Sequence, residues 1–301
     1  MPELPDVLLY VESLRRLLAG SILQSAIIKS PSLLRTFRPE LDDFCGATLV
    51  DFDCIGKRIV WRFENEACMV FHLMIAGRFH WKAKRALPRS KNDLAAFVFD
   101  QGTMMLTEAS SKKRAGLWCC NEWADAEQLG AGGLDVLAAD DAEIVGILRS
   151  KNNTLKRTLA DPHRFHGIGN AYSDEILHAA RLSPLRRTDQ LSEDELKRLV
   201  RAMRETLSTW ITRLQRQHGL LGEGQFRFPE RVTAFRPEMA VHGKFKESCP
   251  VCQAPVQRIC YAENECNYCP GCQTDGRILA DRSLSRLLKD DWPRSLDELD
   301  S

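Results

Sequence analysis

The sequence carries almost no net charge: 42 Lys and Arg offset 41 Asp and Glu, leaving +1 over 301 residues. A field able to hold a polyanion over the whole surface is therefore excluded, and a phosphate-rich ligand would need a local basic patch. Long apolar runs are missing too. Nothing approaches the roughly 20 consecutive apolar residues of a membrane span, and the N-terminus has no basic segment followed by an apolar one. No membrane partner is expected, and the protein is expected to be intracellular. Internal repeats and low-complexity tracts are absent. What remains, 44% hydrophobic and 28% charged residues, is ordinary for a globular protein, and the length favours two domains over one.

The chain changes periodicity along its length. Val7, Val11, Leu14 and Leu18 sit at helical spacing behind Pro5, with Gly20 as a stop. From about Ser21 to Cys119, short runs such as "RIVWRF", "CMVFHLMIAGRFHW" and "AAFVFD" are punctuated by Gly, Asp and Asn, as a sandwich or barrel requires. "LGAGGLDVLAADD" turns to Gly, Ala and Asp and is expected to be a linker or hinge. Helical spacing then returns. Ser192 to Glu195 form a capping box, with Leu191 and Leu196 as its hydrophobic staple, ahead of a stripe from Leu196 to Leu214. The last twelve residues are acidic and are expected to be a loosely held tail.

Six of the eleven cysteines fall within 24 residues. "CPVC" (Cys249, Cys252) and "CPGC" (Cys269, Cys272) are two C-x2-C knuckles sixteen residues apart. Each puts two thiolates on one tight turn, and together they make a closed tetrahedral site for one zinc ion. Four protein ligands leave no open position, so the zinc is expected to be structural, folding a hairpin too small to hold itself together. Cys260 and Cys266 are rival ligands without a two-residue partner. "GIGNAYSDEIL" (Gly167 to Leu177) brings two glycines to the start of a helix, where free N–H groups suit an anion. Lys151, Lys156 and Arg157 supply a basic patch upstream. The competing explanation is that Asn170 is an N-cap and the glycines make a tight helix–helix turn.

The opening "MPELPDV" poses a sharper question. Pro5 serves as the first residue of a helix, but Pro2 followed by Glu3 needs another reason. Once Met1 is removed, Pro2 is a free secondary amine beside a carboxylate: a nucleophile and a proton-transfer partner. A free α-amino group has a pKa near 7.7–8.0, so roughly a tenth is neutral at pH 7 without tuning.

Taken in order, these segments resemble the formamidopyrimidine-DNA glycosylase / endonuclease VIII family. "PELPDV" looks like its N-terminus, "IGK" (Ile55 to Lys57) like its β-hairpin lysine motif, and "HLMIAGRF" (His72 to Phe79) like its central strand and loop. "LKRTLADP" with "GIGNAYSDEIL" looks like its helix-two-turns-helix element, and the four-cysteine hairpin like its zinc finger. The resemblance implies an α+β protein. A β-sandwich catalytic domain with an N-terminal helix would cover 2–130, a helix-two-turns-helix domain 138–238 and a zinc finger 239–276, with an extension over 277–301. It implies a bifunctional DNA glycosylase and AP lyase of base-excision repair, monomeric, acting in the bacterial cytoplasm and nucleoid on double-stranded DNA that carries damaged bases or abasic sites. "PELP" leans toward oxidised purines.

By the same resemblance, Pro2 attacks the sugar C1′ and Glu3 shuttles protons. Lys57 contacts the phosphate or the departing base, and Lys156 and Asn170 clamp the backbone while the target nucleotide is extruded. The family fills the resulting gap with three side chains, at positions matched here by Ile75, Lys113 and Ala115 in place of the usual methionine, arginine and phenylalanine. A smaller wedge could tolerate several opposite bases, favour single-stranded or bubble DNA, or admit bulky and crosslinked adducts. Alternatively Arg114 does the filling. In the finger, Asn264 occupies the place of a phosphate-binding arginine, with Arg258 and Arg277 as possible substitutes. A relative that binds DNA without chemistry is the rival from another class. In the extension, Leu279, Leu284, Leu287 and Leu288 are expected to pack as a short helical brace.

Overall fold

The computed structural model describes residues 1–222, 224–232, 235–261, 264–281 and 293–298. The chain forms two compact units, Met1–Ala131 with Trp210–Ala234, and Gly132–Thr209 with Phe235–Ser301. The sequence boundaries had kept 138–238 together; in the structure, 210–234 cluster with the N-terminal unit. Among the described residues, no helix is long and apolar enough to cross a membrane.

The first unit begins with α1 (Leu4–Leu18). Pro5 lies in its first turn, where the missing N–H has no partner to lose, and Val7, Val11, Leu14 and Leu18 are 0–3% exposed on its inner face. Ala19 leaves helical geometry and Gly20 takes φ +81, ending it. Eight strands follow: β1 (Ser25–Ile28), β2 (Leu49–Ile55), β3 (Arg58–Phe63), β4 (Cys68–His72), β5 (Gly77–Lys82), β6 (Asp93–Phe99), β7 (Gly102–Glu108) and β8 (Gly116–Cys120). They form two antiparallel sheets, ordered β1-β6-β7-β5 and β2-β3-β4-β8.

The sheets face one another across an aromatic core. Trp61 of β3 meets Phe97 of β6 with ring centroids 5.1 Å apart, and Phe71 of β4 meets Phe79 of β5 at 5.3 Å. The outer face of the second sheet is also covered. Val60, Cys68, Val70 and Cys120 cluster with Ala126 of α2 (Trp123–Glu127). That double burial is why "RIVWRF" lacks a clean polar alternation. Five of the six tryptophans, Trp61, Trp81, Trp118, Trp123 and Trp210, belong to this unit; Trp292 lies outside the described residues.

The second unit contains α3 (Asp141–Arg149), α4 (Leu155–Ala160), α5 (Asn170–Ala179) and most of α6 (Glu193–Gln217), then β9 (Gln257–Tyr261), β10 (Asn264–Tyr268) and the one-turn α7 (Pro270–Gln273). The expected capping box starts α6: Ser192 N–H donates to Glu195 Oε2 at 2.9 Å, and Glu195 N–H to Ser192 Oγ at 3.2 Å. The Gly/Ala/Asp stretch before α3 contains the boundary between the units, at Ala131 and Gly132, and its second half is bonded into the second unit. Leu134 N–H donates to Arg164 O at 2.8 Å, Arg204 Nε donates to Val136 O at 3.2 Å, and Val136 is 1% exposed. Its small residues permit close approach, since a Cβ on Gly133 would lie 2.3 Å from Pro162 O.

The described parts of the C-terminal extension, 277–281 and 293–298, are bonded to one another and to the finger. Leu279 packs with Ile259, Cys266 and Tyr268, and buried Asp281 accepts from Cys260 N at 2.6 Å. Residues 293–298 return to the same place: Ile278 N–H donates to Arg294 O and Leu296 N–H to Gly276 O, both at 2.9 Å. Leu284, Leu287 and Leu288 of the expected brace lie outside the described residues.

Candidate active site and nucleic-acid interface

In the first unit the chain's own end is the centre of the site. Glu3 caps α1 and is 3% exposed, and its N–H donates to Asp6 Oδ2 at 3.0 Å. The α-amine is Met1's here and becomes Pro2's when Met1 is removed. Burial pushes the pKa of the amine down; Glu3 and Asp6 oppose the shift while Arg78 and Lys57 add to it. The net shift raises the neutral fraction of the Met1 amine. Lys57 lies in the two-residue turn joining β2 to β3, where Gly56 takes φ +60 and Ile55 pairs with Arg58. That glycine-first hairpin turn suits the right-handed strand twist.

His72, at the end of β4, was not singled out as a site residue in the sequence. Burial pushes its pKa down to about 4, with Arg58, Lys57 and the N-terminus adding to the shift. It is therefore a neutral imidazole at physiological pH, placed among the cations of the site. Arg78 was missed as well. Its Nη1 donates to Ile75 O at 3.1 Å and Gly77 O at 2.6 Å, fixing the β4–β5 loop while its charge acts on the amine.

That loop exposes Ile75 at 62%. Gly77 closes it without an alternative, because a Cβ there would lie 2.3 Å from Leu73 O. The loop before β8 is organised by Glu108, whose carboxylate is 1% exposed and accepts from Arg114 N at 2.9 Å and Ala115 N at 3.0 Å. Lys113 Nζ turns back to Glu108 O. Ala115 is 2% exposed, so its methyl belongs to the core and not to a projecting wedge. Arg114 is exposed, and Arg35 Nη2 supports its carbonyl at 3.3 Å.

In the second unit, Lys156 of α4 donates to three acceptors on α5: Asn170 O at 2.6 Å, Ser173 Oγ at 2.8 Å and Asp174 Oδ1 at 2.6 Å. Asn170 is the first residue of α5 and Gly169 its N-cap. The side-chain Nδ2 of Asn170 donates to Glu265 O on β10 at 2.8 Å. Asp174, fully buried, also accepts from His242 Nδ1 at 2.8 Å and Asn267 N at 3.1 Å. Neighbouring Glu175 receives the N–H groups of Ala240, Val241 and His242 at 2.8–2.9 Å. Asp174, which holds Lys156, and neighbouring Glu175 were not singled out in the sequence. Asn264 is exposed at the start of β10, while Arg258 on β9 stacks on Phe245 at 4.3 Å and pairs with Glu265 at 3.1 Å. Arg277 instead pairs through its backbone with Ser295.

The four knuckle cysteines converge. Cys252 and Cys269 sulfurs are 3.2 Å apart, and those of Cys249 and Cys272 3.9 Å. Tetrahedral zinc thiolates, with bonds of about 2.3 Å, stand about 3.8 Å apart, so the donor set fits a metal. Burial pushes the Cys272 thiol up to about 11, a cost that a bound cation reverses. His178 Nε2 joins the cluster, with the donor atoms of His178, Cys249, Cys269 and Cys272 all within 4.8 Å of one another. Cys260 and Cys266 are not members; buried Cys266 lies beside Asp174 instead.

Family models match both units: the formamidopyrimidine-DNA glycosylase N-terminal domain over residues 1–113 and the formamidopyrimidine-DNA glycosylase H2TH domain over 135–218. The formamidopyrimidine-DNA glycosylase of Thermus thermophilus is 30% identical over 284 residues, covering 92% of this chain and all of its own. The chain belongs to the formamidopyrimidine-DNA glycosylase family. An uncharacterized formamidopyrimidine-DNA glycosylase-like protein of Mycobacterium tuberculosis is 38% identical over 157 residues, covering 52% of this chain and 94% of its own. The Lactococcus lactis family enzyme, solved in complex with DNA containing an abasic site, shares the fold. Its TM-score is 0.77 at 23% identity, with 90% of this chain and 99% of that one covered. The family's fold thus accounts for both units, the sandwich and the helical half with its cysteine hairpin.

Proposed function

We propose that the protein is a base-excision-repair DNA glycosylase with AP lyase activity whose nucleophile is the amine of Pro2. The observation that carries this is that Pro2 and Glu3 are buried at the start of the chain, where the charges of Lys57 and Arg78 act on the terminal amine. The neutral nitrogen of Pro2 forms a bond to the sugar C1′ and gives up its proton as the C1′–base bond breaks, its electron pair leaving with the base; Glu3 protonates the ring oxygen, and the C1′–O4′ bond breaks to open the sugar ring. Being secondary, the amine can only give a cationic iminium. That cation acidifies the C2′ proton, whose removal expels the 3′ phosphate, and water then releases the sugar remnant and regenerates the amine. Lys57 stabilises negative charge on the leaving base or on a phosphate.

In the second unit Lys156 and Asn170 are suited to phosphates, with one structural zinc held by Cys249, Cys252, Cys269 and Cys272. The substrate is double-stranded DNA with an oxidised base or an abasic site, bound by a monomer. A second preference, for bubble or single-stranded DNA, is favoured by buried Ala115 and retracted Lys113, which leave Ile75 and Arg114 as the projecting side chains.

Borohydride trapping on abasic duplex DNA tests the proposal. The protein with Met1 removed should yield an adduct mapped to Pro2, Pro2→Gly should trap weakly, and Glu3→Gln should lose about 10²–10⁴-fold in base excision. Tight DNA binding with no adduct from the intact protein would leave a structure-specific DNA binder instead.

A further inference from the structure

The second unit holds one group that neither the family's chemistry nor the four-cysteine pattern uses. His178, in the last turn of α5, is 7% exposed, and its Nε2 lies 3.3 Å from Cys249 Sγ. Resting on the zinc site proposed above, we infer that His178 is an outer-sphere donor: its Nε2–H hydrogen-bonds the Cys249 thiolate, retains the metal and fastens α5 to it.

Four thiolates around a divalent cation carry an excess of two negative charges, and each buried sulfur needs a compensating N–H. Cys252 is exposed and water can serve it. Buried Cys269 receives the Cys272 backbone N–H at 3.4 Å. Cys249 is fully buried, and His178 Nε2 lies 3.3 Å from its sulfur, where the tautomer protonated at Nε2 donates to it. The imidazole is not needed as a ligand, because Cys252, only 3.2 Å from Cys269, already completes the set of four sulfurs.

The same contact has a mechanical side. Asn170 at the start of α5 holds Glu265 O of the finger, and His178 at its end holds a metal thiolate. The helix that presents Lys156's partners is thus fastened at both ends to the zinc hairpin.

The test uses the full zinc-loaded chain with His178→Phe, which keeps a flat ring and removes the donor, and His178→Gln, which keeps an N–H. Zinc content is measured first, then the rate of zinc release to a colorimetric chelator, then the absorption of the cobalt-substituted protein. The inference expects one zinc in all three proteins and release roughly 10–100-fold faster from the Phe variant. The Gln variant should fall between the two. All three should show a four-thiolate cobalt spectrum, with the thiolate charge-transfer band at longer wavelength in the Phe variant. Should that variant not accumulate, Gln against His178→Met gives the same comparison. Equal release rates for wild type and the donor-free variant would overturn the inference. So would a wild-type cobalt spectrum of three thiolates and one imidazole, which would make His178 a ligand. Wild-type protein that binds no zinc would overturn the metal site itself.

Discussion

The two units place their candidate functional groups differently with respect to their cores. The first is closed by rings: Trp61, Phe71, Phe79 and Phe97 fill the space between its sheets, and the proposed reacting groups sit at the N-terminus, a hairpin turn and a strand terminus. The second buries Asp174, Glu175, His242 and a set of thiols, and Lys156, which also belongs to the candidate site, is bonded into that network. In the first unit, chemistry is added at the margin of a core that would pack without it. In the second, the candidate phosphate-binding residues are themselves part of the packing. Changes at the site should therefore separate function from folding in the first unit and combine them in the second.

Metal removal should break the comparison most sharply. Structural zinc contributes on the order of 10 kcal/mol in small fingers, so a strong chelator should abolish DNA binding and hydrogen-exchange protection in β9 and β10. Protection in β2 to β8 should persist. Next in size is Asp174→Asn. Removing one partner of a buried ion pair costs about 3–5 kcal/mol, and the amide keeps one acceptor oxygen where the carboxylate offered two, so Lys156 and His242 can no longer both be served. Trp61→Ala should cost a similar amount, about 3–5 kcal/mol. Binding assays under conditions where both variants are folded should then differ: the Asp174 variant should bind DNA weakly and the Trp61 variant nearly normally.

A pH scan sharpens the contrast within the first unit. The folded-state pKa of His72 is depressed to about 4 from an ordinary 6.5, so the unfolded chain takes up a proton more readily. The contribution is complete above pH 6.5 and is lost as pH falls toward 4, by about 3 kcal/mol at most. Denaturant titrations between pH 7 and 4 should show this loss, and His72→Gln should flatten it. The smallest expected effect is at the finger: Asn264→Arg should steepen the dependence of log Kd on log salt by about one, without changing the stability of either unit.

What could be read from the sequence was what local spacing encodes. The knuckles were legible because both ligands of each turn lie two residues apart, the α6 start because its capping box spans three, and β3 because its apolar run is continuous. Partners far apart in sequence were not legible. His178 meets Cys249 across 71 positions and His242 meets Asp174 across 68. No periodicity records such pairs. The stretch before α3 was legible as a linker, since the unit boundary falls in it, but the close backbone approach at Gly133 was not, because composition cannot distinguish close approach from freedom. Ala115 illustrates the same limit, since position along the chain does not say whether a methyl faces solvent or core.

The uneven distribution of indoles has a practical consequence. With five of six tryptophans in the first unit and the metal-binding thiols in the second, the two halves carry separate optical labels. Ultraviolet emission reports chiefly on the sandwich, and visible cobalt bands on the finger. One cuvette can therefore show whether the halves melt together or in sequence, without a label being attached to either.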